Sequence, residues 1–470
     1  MNERKIIIFG ASSGAAKVGD MIESIGLNVE FYVDNDSKKF ETMFHGRSIK
    51  NPRILCDLKQ DYNIIIASIY HDEIKQQLID MGIDEKCIIL KEQIVMNYIN
   101  THLGEIIGTP LDISNKYNNR KILIDLGDGI ILGGIEKWGL DLANALSSRS
   151  CNVTVLAKKL KKEIPVEIKC SIKYYNFDYK QYIEEIKIIV QEIISQLPCT
   201  IIVNKIDFIF MASYIVKKYY PNKINIISVL HSDFTRMYEQ NQLVQDSVDE
   251  IICVSNDLKI KLINKYKLKS EKVFFKDSPI SPKSYYEKKY SEKSSSIIIG
   301  YGGRLEKAQK RADLLIPLIE KLNESCINYK LYIAGEGSQY DKINNYITSQ
   351  RLETKIKLYG MIPFDQMENF WSQCDIFISL SDIEGIGLSM LEAMSLGVVP
   401  VVTDTAGAKS FITNGVNGFV NDLGDLDGII NCIMTLNNDR EKMKKYGQLS
   451  KKIIRERCNM TEYCDFILGL

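Results

Sequence analysis

The chain repeats one local order: a β-branched apolar run, a glycine-containing turn, then an amphipathic stretch at helical spacing. Parallel strands need crossover helices, and burial on both faces makes their strands continuous apolar runs. The alternation therefore restricts the chain to α/β folds with parallel sheets. The first block reads KIIIFG, ASSGAAKVGDMIESIG, VEFYVDND, YNIIIASIYHDEIKQQLIDMG and CIIL, and closes by about residue 92. A helix-like stretch, EQIVMNYINTHL, and a polar stretch around Asp112–Arg120 follow, the latter read as a linker. The second block restarts at RKILIDLGDGI and runs through CNVTVLAKK, TIIVNKIDFIF, INIISVLHSDF and EIICVSNDLKIKLI. An apolar-poor connection, SPKSYYEKKYSEKSSS, leads to IIIGYGG, LYIAGEG, KIKLYG, IFISLSD and VVPVVTD. The chain ends in one or two charged amphipathic helices. Three sheets are expected.

A length of 470 residues suits two to four domains, each with its own core. The 60 Lys and Arg balance 60 Asp and Glu, so the basic excess of a general nucleic-acid binder is missing. No apolar run reaches the roughly 20 residues of a membrane span, and MNERKIIIFG reads as a first strand, not a signal peptide. Eleven cysteines are scattered singly from Cys56 to Cys464 without a C-x-x-C pair. That usage suits small buried hydrophobes in a reducing compartment, so a cytoplasmic chain without zinc or dithiol sites is expected. Lys158, Lys159, Lys161 and Lys162 form a basic knot. It reads either as a solvated loop or as a peripheral contact with the inner face of a membrane. A homo-oligomer stays open.

The most informative stretch is Glu384-Gly-Ile-Gly-Leu-Ser-Met-Leu-Glu392, directly after the strand IFISLSD. A glycine-rich strand-to-helix turn presents backbone N–H groups that suit a phosphate. Eight residues at helical rise span about 12 Å, the separation of the two ends of a folded nucleotide sugar. One carboxylate would then hold sugar hydroxyls and the other a ribose, with the phosphates between.

This stretch, with Ala-Met-Ser-Leu-Gly-Val-Val-Pro-Val-Val after it, resembles the E-x7-E region of the GT4 family of retaining, GT-B-fold glycosyltransferases. Gly303-Arg304-Leu305 with Lys310-Arg311-Ala312-Asp313 resembles a second family element, and Gly133-Gly134-Ile135-Glu136 resembles its glycine loop. His231, Val254-Ser255 and Gly335-Glu336-Gly337 also fall in the family's order, and the likeness covers about residues 120–455. It implies two facing Rossmann-like domains, acceptor-side at 120–285 and donor-binding at 286–455, with a helix at 456–470 crossing back. It implies further that Glu384, His231, Arg304 and Lys310 carry catalysis. Gly133, Gly134, Met361, Gly385, Ile386, Gly387, Leu388 and Glu392 would complete the donor site. Glu384 would meet the donor sugar, Glu392 the ribose, and peptide groups near Met361 the base.

Fixed cations aimed at a departing diphosphate are the largest stabilising term available to such a reaction, a role that suits Arg304 and Lys310. The resemblance implies a same-face reaction in which the β-phosphate helps deprotonate the acceptor, without a metal or any other cofactor. No D-x-D lies where a metal would need it; Asp34-Asn35-Asp36 is outside the matching region. Ile386 stands where the family often has an aromatic, which alters packing only. Arg311 replaces a usual glycine and reads either as a phosphate contact or as a solvent-facing side chain. Each charge also has a plainer reading, as an exposed surface group, and a lone His is often structural.

Residues 1–105 precede this region as a further Rossmann-like α/β domain, joined by a linker at 106–119. Gly10, Gly14 and Asp34 form an incomplete dinucleotide fingerprint, with the acid 24 positions after the first glycine. The block resembles the nucleotide-sugar-binding domain of sialic-acid-type sugar O/N-acetyltransferases, without their left-handed helix repeats. Nucleotide-sugar binding, assembly and a relic are its readings. The expected activity is transfer of a hexose or N-acetylhexosamine from a UDP- or GDP-sugar, UDP first, to a saccharide, lipid-linked or protein acceptor in bacterial surface glycan synthesis. An NAD-dependent sugar-nucleotide enzyme and a non-catalytic sugar-nucleotide sensor or scaffold are the alternatives. The first leaves the paired glutamates unexplained.

Overall fold

The structure, a computed structural model, describes residues 4–58, 61–108, 120–131, 133–160, 167–280 and 288–470. Three sheets form. The first takes β1 (Lys5–Phe9), β2 (Val29–Val33), β3 (Met43–Phe44), β4 (Arg47–Lys50) and β5 (Tyr62–Ile66) in the order β3-β4-β2-β1-β5. The second takes β6 (Lys121–Leu126), β7 (Asn152–Lys158), β8 (Ser171–Tyr175), β9 (Cys199–Val203), β10 (Ile224–Leu230), β11 (Glu250–Cys253) and β12 (Val273–Phe275). Their order is β12-β11-β10-β9-β6-β7-β8. The third orders β13 (Ile297–Gly302), β14 (Tyr329–Ala334), β15 (Ile356–Gly360), β16 (Ile376–Ser379), β17 (Val399–Thr403) and β18 (Phe419–Asn421) as β15-β14-β13-β16-β17-β18. The strand order reverses between β6 and β9 and between β13 and β16. Open parallel sheets leave their ligand crevice at the carboxyl ends of the strands at such points.

Two expectations need correction, and one element is new. CIIL forms no strand: Ile88 makes an isolated bridge to Ile64. The antiparallel hairpin β3–β4 turns on His45 and Gly46, both at positive φ, and its strands are too short to show alternation. The linker does not begin at 106, because Ile106 and Ile107 end the helix Leu103–Ile107 and are buried at 4% and 3%. Its remainder at 109–119, Lys161 and Lys162 of the basic knot, and residues 281–287 of the second connection lie outside the described residues.

The N-terminal domain is fixed on the second sheet's domain by a polar seam. Lys91 Nζ lies 3.2 Å from Asp207, whose two oxygens also accept Tyr179 OH at 2.7 Å and Tyr182 OH at 3.0 Å. Gln240 donates to Glu92 at 2.9 Å, Lys75 pairs with Glu239 at 2.7 Å, and Tyr214 OH donates to Asn100 at 2.6 Å. Burial alone would raise the Asp207 carboxyl, but Lys91 and the two tyrosines hold it below the usual carboxylate range.

At the other end, the long helix Arg440–Arg457 packs on the third sheet's domain and forks its Arg457 guanidinium onto Asp277, both contacts 2.9 Å. The helix Met460–Gly469 then packs on the helix Gly134–Ser147 of the second domain, with Tyr463 edge-on to Trp138 at 6.1 Å between centroids.

Candidate active site

The donor-side residues come from loops at the carboxyl ends of β13 to β17. Gly303 and Gly335 let two of these loops touch: a Cβ on Gly335 would stand 1.9 Å from the Gly303 carbonyl oxygen. The loop after β13 carries Arg304 and Lys310. Lys310 Nζ pairs with Glu384, whose Oε1 also accepts Ser381 Oγ at 3.0 Å. Arg304 donates to Gln309 at 2.8 Å, and Gln309 donates in turn to the Ile383 carbonyl at 3.2 Å. Arg304, Lys310 and Glu384 therefore form one cluster. Met361, half exposed after β15, lies on the rim beside these loops.

The paired glutamates do not share a helix. Gly387 takes the left-handed conformation at φ 70° and the helix Leu388–Ser395 begins only after it, so just the second half of the segment rises at helical pitch. The helical-rise argument for a 12 Å span therefore applies to that half alone. Ile386 offers its backbone only, since its side chain is 5% exposed and sits in the core. Arg311 takes neither expected role. It lies at φ 49°, in the left-handed region that favours glycine, and its guanidinium grips Asp382 at 3.0 and 3.2 Å and Asp313 at 3.2 Å.

The second domain meets this cluster across the cleft. A Cβ on Gly385 would stand 1.9 Å from the carbonyl oxygen of His231, and one on Gly134 would stand 3.2 Å from Leu388. The glycines thus let the two backbones approach. His231 Nε2 sits 2.8 Å from Asn204 Oδ1, with the Trp138 ring edge-on at 4.9 Å. Burial lowers its pKa to about 3, so the imidazole is neutral near pH 7. Asn204 donates onward to the Asp125 carbonyl at 2.6 Å, and Asp125 accepts the N–H groups of Gly127 at 2.7 Å and Asn204 at 3.1 Å. Even so, burial pushes the Asp125 carboxyl up to about 7.

Two further residues belong to the site and were not singled out as donor-site or catalytic residues. Glu392 lies 3.6 Å from Lys137, one helical turn into Gly134–Ser147, and Lys137 also pairs with Asp141 at 2.6 Å. Burial raises the Glu392 carboxyl, opposed by the Lys137 charge. Glu136 folds back over Gly133, its Oε2 standing 2.2 Å from where a Cβ there would lie. Burial lifts Glu136 to about 7, opposed by the hydrogen bond from its own N–H and by the charges of Lys205 and Arg304. The available signal was two adjacent charges in the first turn of the helix.

Gly10, Gly14 and Asp34 are not part of this cleft; they lie in the first domain. Asp34 accepts the Ala11 N–H at 2.8 Å and pairs with Lys39 at 2.9 Å. No cluster of three or more metal-ligating side chains occurs among the described residues.

Two facing Rossmann-like domains, closed over glycine-lined loops and tied by a returning C-terminal helix, define the GT-B architecture. Residues 283–453 match the family model described as Glycosyl transferases group 1, and residues 2–89 match one described as C2185-like, N-terminal. An uncharacterized glycosyltransferase of Methanocaldococcus jannaschii is 28% identical over 45% of this chain and 57% of its own length. The N-acetyl-α-D-glucosaminyl L-malate synthase of Bacillus anthracis is 24% identical over 53% of this chain and 67% of its own. The poly(ribitol-phosphate) α-N-acetylglucosaminyltransferase of Staphylococcus aureus is 29% identical over 52% and 43%. The chain thus spans 43% to 67% of the length of these curated relatives. Among solved structures, HepE of Anabaena with UDP and glucose superposes with TM-score 0.61 at 17% identity, covering 75% of this chain and 99% of that one. A variant of Staphylococcus aureus TarM with UDP, α-GlcNAc-glycerol and fondaparinux superposes with TM-score 0.52 at 14% identity, covering 99% of each chain.

Proposed function

We propose that the protein is a retaining, metal-independent glycosyltransferase that moves a hexose or N-acetylhexosamine from a nucleoside-diphosphate sugar, UDP before GDP. The acceptor is a saccharide, a lipid-linked species or a protein in bacterial surface glycan synthesis at the inner face of the membrane. One observation carries the reading. Lys310, Arg304 and Glu384 form a cationic and carboxylate cluster on one lobe, which faces the Gly133–Gly134 loop and His231 of the other. The relatives that bind UDP or transfer N-acetylglucosamine by name favour UDP and such sugars.

In this reading Arg304 and Lys310 neutralise the diphosphate as the glycosidic bond breaks, and the glycine-loop N–H groups approach from the other side. Glu384 holds sugar hydroxyls once a phosphate takes Lys310 from it. Glu392 meets the ribose in place of Lys137. His231, neutral, donates or accepts at one nitrogen while Asn204 fixes the other. The Leu388–Ser395 helix N-terminus adds its dipole to the same charge.

The test is proton NMR of the product's anomeric centre together with nucleoside-diphosphate release by Glu384→Gln. Retention at the anomeric carbon with about a hundredfold slower release in the variant is expected. Inversion of configuration would refute the retaining mechanism.

A further inference from the structure

A second cavity lies beside the donor cleft, at the carboxyl ends of β6, β7 and β9, with a volume of about 100 Å³. That is room for about three water molecules, or for one small oxyanion. Its walls come from two domains. Lys17 enters from the helix Ser13–Ser24 of the N-terminal domain, while Lys158, Lys205, Asp125, Asp128, Tyr179 and Asp207 come from the second domain.

Three lysines face three aspartates there, but their pairing leaves two of the lysines over. Lys205 is paired with Asp128, and Asp207 is consumed by Lys91 and two tyrosines. Asp125 turns its oxygens to backbone N–H groups. Lys17 and Lys158 have no carboxylate within ion-pair distance among the described residues. Lys17 Nζ stands 5.9 Å from the centroid of the Tyr179 ring, so cation and aromatic face line the same wall. The cavity also connects to the reaction centre by one bonded chain: Asp125, Asn204, His231. Meanwhile the first domain's own acid, Asp34, is already paired with Lys39.

We infer that the N-terminal domain completes the acceptor pocket, and that Lys17 and Lys158 together receive a phosphoryl group carried by the acceptor. The inference rests on the transferase reading for the word acceptor alone; the oxyanion pocket stands on its geometry. Tyr179 packs against the acceptor's carbon skeleton, and the hydroxyl to be glycosylated points along the Asn204 side toward His231. Lys17 is then a specificity-determining residue supplied by a domain outside the catalytic pair.

The test is lysine acetylation of the full chain followed by mass spectrometry, at constant ionic strength, with glycerol 3-phosphate, with glycerol, and with phosphatidylglycerol vesicles. Glycerol 3-phosphate is expected to slow acetylation of Lys17 and Lys158 about fivefold, as a partly exposed ion pair would. The exposed Lys86 should be unaffected, and glycerol should protect neither lysine of the pair. Lys17→Ala should remove the protection of Lys158, and Lys17→Arg should keep it. Equal rates with and without the phosphate ester would overturn the proposal. Protection by vesicles alone would assign the two lysines to a membrane face and overturn it as well. Absence of turnover with every nucleotide sugar, with the footprint intact, would refute the transferase reading and leave the pocket standing.

Discussion

At the residue scale, the proposed chemistry rests mostly on the charges that face each other across the cleft, and Glu136 is one whose ionisation changes near neutral pH. It sits over Gly133, where a donor diphosphate would approach, with a pKa raised by burial to about 7. Raising the pH from 6 to 8 ionises it and sets a negative charge beside the phosphates. Donor KM is therefore expected to rise several-fold over that interval in wild type and clearly less in Glu136→Gln, where Asp125, also raised to about 7, still titrates, read from initial rates at saturating acceptor. The stability effect has the matching sign. Because the folded pKa exceeds the unfolded value of 4.5, Glu136 favours the native state at low pH, and that contribution fades as pH rises through about 7. His231, lowered to about 3, should add no limb between pH 5 and 8. Glu384, Glu392, Arg304 and Lys310 were legible because glycines at fixed offsets flank them. Glu136 and Lys137 were not, because a charge in the first turn of a helix usually only complements its dipole. What places these two at the cleft is the partner lobe, and no spacing in the chain encodes that.

At the element scale, the glycines matter for the approach they permit between domains. Gly385→Ala would drive a methyl into the His231 carbonyl and separate the lobes at the reaction centre. Loss of kcat/KM by about a hundredfold with a nearly unchanged Tm is expected, since small misplacements of reacting groups cost that much. A wild-type rate would show that the lobes do not meet there during turnover. The seam under the N-terminal domain rests on Asp207. Asp207→Ala leaves the buried Lys91 ammonium only Glu92 at 3.6 Å, takes the acceptor from the Tyr179 and Tyr182 hydroxyls, and should cost about 3 kcal/mol in urea denaturation. Most strands and crossover helices could be read from apolar runs, since burial on both faces leaves that pattern. The β3–β4 hairpin could not, because its strands are too short to show alternation, nor could the missing strand at CIIL, whose pairing depends on Ile64, distant in sequence.

At the scale of the whole molecule, three α/β units share a chain in which the middle one is held from both sides. The polar seam holds the N-terminal domain on it, and Met460–Gly469 returns from the third domain to pack on Gly134–Ser147. The same middle helix carries the glycine loop, Glu136 and Lys137, so the returning helix also braces the cleft. Motions that open the donor site must hinge between the second and third domains, where ligands at domain interfaces commonly require closure. The three-sheet order was legible in the sequence; that the N-terminal domain lines the cavity at Lys158 was not, because Lys17 reaches it only after docking. The central claim, that the cleft between the second and third domains binds a nucleoside-diphosphate sugar through Glu392 and its neighbours, has one direct measurement. Thermal shift and nucleoside-diphosphate release are recorded for a panel of UDP- and GDP-sugars on wild type and Glu392→Ala. One donor should raise the Tm of the wild type and be slowly cleaved, with both responses lost in the variant. A chain that ignores every nucleotide sugar and is stabilised by reduced nicotinamide instead would contradict the account.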